Sequence, residues 1–84
     1  MRTQGRVCFA NLRRGMVAAE LDDGGYAVLE IMGSPDDIEV GDLLIGELRS
    51  HGGERLCNLT KRMNVDVYIQ AYDATLENVR ALIS

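Results

Sequence analysis

Two acidic pairs, Asp22-Asp23 and Asp36-Asp37, are the residues whose spacing first invites a chemical reading. Each pair is contiguous and lies in a turn sequence, Asp-Asp-Gly-Gly or Gly-Ser-Pro-Asp-Asp, where Asp is favoured for hydrogen bonding to nearby backbone. Adjacent carboxylates in a turn are not the opposed pair that acid–base catalysis requires. His51 is the single histidine, flanked by Ser50 and two glycines, with no Cys or carboxylate at metal-ligand spacing. Cys8 and Cys57 form no C-x-x-C pair and read as small buried hydrophobes, reduced in a cytosol. Neither a phosphate-cradling glycine loop nor a nucleophile with a nearby base is present. The reading is therefore a non-enzyme, with no catalytic residue, metal or cofactor.

Binding chemistry has more candidates. Arg13-Arg14 and Lys61-Arg62 are the adjacent basic pairs, and either could form a phosphate-binding edge or an ordinary solvated loop. The net charge of −4 disfavours a nucleic-acid partner, because counterion release requires cations near the phosphates. Phe9 is the only Phe and could stack on a base or fill a core short of aromatics. Tyr26, Tyr68 and Tyr72 could mark an interface, since a phenol has an apolar body and a polar tip. Met16 facing outward would suit an adaptable protein contact, although Met more commonly fills a core.

These residues must be positioned by short elements. The chain has 84 residues, of which 46% are hydrophobic and 26% charged, enough for one domain and one aliphatic core. Five β-like runs, Gly5–Ala10, Gly15–Glu20, Tyr26–Met32, Leu43–Arg49 and Arg55–Leu59, are separated by turn residues. Asp22 to Gly25 is the strongest hairpin signal. After Met63, residues Val65 to Ala71 alternate apolar and polar and predict a sixth strand with one buried face. Thr75 then caps a short helix whose stripe is Leu76, Val79, Leu82 and Ile83. Such a helix must dock, in cis or in trans, because it is unstable alone in water. No apolar run approaches the length needed to span a bilayer, and no membrane partner is expected.

The runs Gly5-Arg6-Val7-Cys8-Phe9-Ala10-Asn11 and Arg14-Gly15-Met16-Val17-Ala18-Ala19, followed by Asp22-Asp23-Gly24, lie at matching positions to the start of a cold-shock domain. Val40-Gly41-Asp42, Gly52-Gly53 and Cys57-Asn58-Leu59-Thr60 resemble that family's later turns and closing strand. The resemblance covers about residues 5–60 and implies a five-stranded OB-type barrel. In that family, aromatics on strands one to three stack successive bases beside basic residues. Here Phe9 stands where the family has Trp, while Ala10, Met16, Ala18, Val28 and Glu30 replace further platform residues. Base stacking contributes roughly 1–3 kcal/mol per base, so these replacements predict a large loss of affinity.

The resulting expectation is a mainly all-β single domain over residues 1–84, with an OB-type barrel at 5–60 and a strand–helix extension at 61–84. Its expected role is that of a cytoplasmic binding module that contacts another protein or a second copy of itself, most simply as a homodimer. Tyr68, Tyr72, Leu76, Val79, Leu82 and Ile83 are the candidate interface. The alternative is weak single-stranded nucleic-acid binding through Phe9, Arg13, Arg14, Tyr26, Lys61 and Arg62.

Overall fold

A computed structural model describes residues 2–84. Six antiparallel strands, β1 (Thr3–Asn11), β2 (Met16–Leu21), β3 (Tyr26–Ile31), β4 (Leu43–Gly46), β5 (Gly52–Asn58) and β6 (Met63–Ala74), precede one helix, α1 (Leu76–Ile83). They close into a barrel in the order β1-β2-β3-β6-β5-β4, with β4 returning to β1. The mainly β architecture with a sixth strand and a short terminal helix matches the sequence reading. The sixth strand, however, is not an appendage to a barrel of five. It lies between β3 and β5 and pairs with both. Those two strands do not pair with each other, so residues 5–60 alone do not close.

Period-2 patterning explains which side chains face inward. Val65, Val67 and Ile69 alternate with exposed Asp66, Tyr68 and Gln70, as the sequence predicts. They join Val7, Val17, Leu29, Leu44 and Leu56 in the barrel core. Ile38, which follows a 3-10 helix at Pro35–Asp37, and Leu48, from the β4–β5 loop, are also fully buried in this core. Strand β4 stops at Gly46 and does not continue to Arg49. Gly46 has φ +154°, and a Cβ there would come within 2.7 Å of Leu56 Cδ2. The absent side chain thus lets the β4 backbone rest directly against Leu56.

Strands β2 and β3 are buried on both faces. Their inner residues enter the barrel core, while Met16, Ala18 and Val28 join Ala74, Val79 and Ile83 in a second cluster outside the barrel. Helix α1 therefore docks in cis over β2 and β3. One residue, Thr75, separates it from β6, and the Thr75 hydroxyl accepts from the Asn78 N–H at 3.2 Å.

A buried polar node fixes the long β3–β4 connection. Asn58, fully buried at the end of β5, donates to the Asp42 carboxylate at 2.8 Å and to the Asp37 carbonyl at 2.9 Å. Asp42 also accepts from the Glu39 N–H at 2.9 Å, and the Lys61 ammonium lies 3.6 Å away. Burial alone would push the Asp42 carboxyl up. The Asn58 amide, the Glu39 N–H and Lys61 outweigh it and hold Asp42 below the ordinary value of 3.8. A carboxyl with a lowered folded pKa contributes stability above its unfolded pKa and loses it as pH falls through the folded one.

Urea unfolding at neutral pH should show Asn58→Ala destabilised by roughly 1–3 kcal/mol, the cost of leaving buried polar groups without a partner. On acidification below about pH 4, wild-type stability should fall, and Asp42→Asn should make that fall shallower. An unchanged acid slope in Asp42→Asn would show that the node does not govern it.

Candidate interaction surfaces

The outer face of β1, β2 and β3 is the surface on which the sequence resemblance set the expected platform residues. Cross-strand register puts Phe9 opposite Ala18, Ala18 opposite Val28, and Val28 opposite Ala71. Residues paired in this way share a face. Ala18 and Val28 are completely buried and Met16 nearly so, all beneath α1. Phe9 stays 37% exposed at the flank of the covered area. Tyr26 is half-buried against the same outer cluster. Small side chains at Ala18 and Val28 let Val79 and Ile83 approach the sheet closely.

The C-terminal end of α1 is held by residues from the β1–β2 loop. The Asn11 amide donates to the Ile83 carbonyl at 3.0 Å, and the Arg14 guanidinium donates to the carbonyls of Leu82, at 3.2 Å, and Ser84. A cation there complements the negative end of the helix dipole and satisfies carbonyls left open by the last turn. Arg14, expected either at a phosphate-binding edge or in a solvated loop, instead fastens the helix end together with Asn11, for which the sequence suggests no such role. Nothing in the spacing links residues more than 65 positions apart.

The remaining basic candidates separate into engaged and open side chains. Lys61 pairs with Glu39 and lies beside Asp42, and the Glu39 hydrogen bond holds its ammonium above the usual range. Arg13 and Arg62 are exposed and have no ion-pair partner among the described residues. Arg62 occupies the β5–β6 turn with φ +57°. Both basic pairs lie at one end of the barrel, with β4 between strands β1 and β5. Tyr26 begins β3 at the opposite end, so the six residues proposed for nucleic acid do not form one patch.

The expected interface is divided in the same manner. Val79 and Ile83 are buried within the chain, whereas Leu76 and Leu82 are exposed on the flanks of α1. Tyr68 is 44% exposed on the outer face of β6, opposite Glu30. Tyr72 is half-buried, its ring 4.7 Å from that of His51 and tilted by 49°. Next to it, Arg49 binds Asp23 and Asp73, the latter at 2.7 Å, and ties the β2–β3 turn to the end of β6. The sequence reading assigned Arg49 only to a strand.

Cys8 and Cys57 are free and half-buried, more accessible than the sequence reading expected. The extra residue of a β-bulge, Cys8 has its thiol 3.6 Å from the Ala18 carbonyl. Burial pushes that thiol up, and the charge of Glu20 adds to the effect. A shallow open hollow beside β1 is lined by Gln4, Arg6, Glu20, Asp22 and Leu43. The described residues include no cluster of three or more His, Cys, Asp or Glu able to hold a metal, and no helix long and apolar enough to cross a membrane.

Comparison of the chain with family models, curated proteins and solved structures finds no match in any of the three. Ile83→Ala should lower stability by about 2–4 kcal/mol through lost burial and the cavity left under α1. Arg14→Ala should cost about 1 kcal/mol, the scale of a helix-end cation with its hydrogen bonds. Chemical denaturation measures both, and a larger cost for Arg14 than for Ile83 would reverse the assignment of what holds α1.

Proposed function

We propose that the chain is a non-catalytic binding module whose partner is a protein, in the first instance a second copy of itself. The observation that carries this reading is the closure of the outer β2–β3 face by the chain's own helix. Single-stranded nucleic acid binds through exposed stacking platforms bordered by cations. Here Ala18 and Val28 are inaccessible, Tyr26 packs beside α1, and Arg14 and Lys61 are engaged within the chain. Among the described residues, nine large hydrophobic side chains stay exposed, from Phe9 to Leu82. Where such side chains gather into one contiguous patch, protein contacts are the usual use of the surface.

The likeness to a cold-shock domain enters this reading as scaffold. The order of the motifs from Gly5 to Thr60 follows β1 to β5, while β6 gives the barrel a different closure. A cytosolic setting accords with two unpaired thiols.

Sedimentation velocity from low to high micromolar concentration should show the mass rising from 9.3 kDa toward twice that value. Titration with oligo-pyrimidines at low salt should show no binding. A monomer at every concentration, or salt-sensitive oligonucleotide binding lost in Phe9→Ala, would overturn the reading.

A further inference from the structure

The antiparallel order of the strands sorts the loops into two ends with different surfaces. At one end lie the β1–β2 loop, the start of the β3–β4 connection and the β5–β6 turn. These carry Leu12, Met32, Leu59 and Met63, exposed by 37% to 59%. At the other end Asp23 and Asp73 pair with Arg49, and exposed Asp22 lies in the same β2–β3 turn as Asp23. The apolar end also carries open charges of both signs. Among the described residues, Arg13 and Arg62 are exposed without an ion-pair partner, and the exposed Asp36 carboxylate of the 3-10 helix has none either.

We infer that this apolar end is the surface through which two copies of the chain meet, end to end about a two-fold axis. The inference rests on the self-association proposed above and adds where it occurs. A two-fold interface sets one patch against itself, so it must be self-complementary. Four aliphatic and thioether side chains can form its dry centre. Arg13 and Arg62 of one copy can then face Asp36 of the other, twice over. The same arrangement holds the two acidic ends apart, which matters for a chain with a net charge of −4. The dimensions fit: the molecule measures 30 × 30 × 22 Å, so an end face is of the order of the ~800 Å² per partner that stable complexes bury. An anionic lipid surface would meet the arginines favourably but would repel Asp36 and its neighbour Asp37. A second copy satisfies both signs.

Charge reversal tests the inference without touching either core. Arg13→Glu/Arg62→Glu and Asp36→Lys, each confirmed folded by circular dichroism, should each weaken the homodimer roughly tenfold or more, because like charges then face each other. An equimolar mixture of the two variants should restore the dimer, since every cross-pair becomes opposite in sign. Sedimentation equilibrium reads all three samples. A wild-type dimer with undiminished variants would overturn this surface while leaving self-association standing. Weakened variants that do not rescue each other would overturn the cross-pairing. A monomeric wild type would overturn both proposals. Co-sedimentation with phosphatidylcholine–phosphatidylserine vesicles, abolished by the arginine variant, would assign the end to lipid instead.

Discussion

Twelve residues of β6 supply backbone pairing to β3 on one side and β5 on the other, and the rest of the structure depends on that double duty. Without β6, two sheet edges would be left open and the inner faces of β3 and β5 would lose Val65, Val67 and Ile69. Open edges of this kind are templates for pairing with other chains, and full closure removes them. An 84-residue chain with one Phe and no Trp has little core to spare. Closing the barrel with a strand that carries three fully inward aliphatic residues is how it reaches enough burial.

The placement of α1 follows directly from β6. A single residue joins them, so the helix cannot travel far from the strand end and folds back over the adjacent outer face. That face is made for it by Ala18 and Val28, whose small size brings the helix close, and by Met16, which fills the gap that remains. Asn11 and Arg14 then fasten the far end of the helix. The result is a strand pair buried on both sides, an uncommon arrangement for an antiparallel sheet, which more often leaves one face to solvent. A surface that could have met a ligand has become interior.

The flanks of the barrel are covered by α1 or lined with alternating polar side chains such as Asp66 and Gln70. Four of the exposed apolar residues, Leu12, Met32, Leu59 and Met63, collect at the loop tips of the end opposite the Asp23–Arg49–Asp73 cluster. The Asp42–Asn58 node sits just behind those tips. It holds the 3-10 helix and the β5–β6 turn in a fixed relation, so the end presents a formed surface and not a set of independent loops.

Local patterning in the sequence determined the β character of this protein, its hairpin at Asp22–Gly25, the two-residue alternation of β6 and the Thr75-capped helix. Each of these is encoded within about ten residues, by side-chain period or by turn chemistry. That Ala18 and Val28 are small was legible too, but not that a helix would cover them. Only the tertiary structure decided that β6 enters between β3 and β5, that Val79 and Ile83 turn inward in cis, and that Arg14 and Lys61 serve intramolecular partners. Those outcomes depend on contacts between residues tens of positions apart, such as Arg14 with Ser84 and Asn58 with Asp42. Local sequence carries the propensity of each segment. The choice among partners is made by which closure buries the most apolar surface while leaving no polar group unpaired.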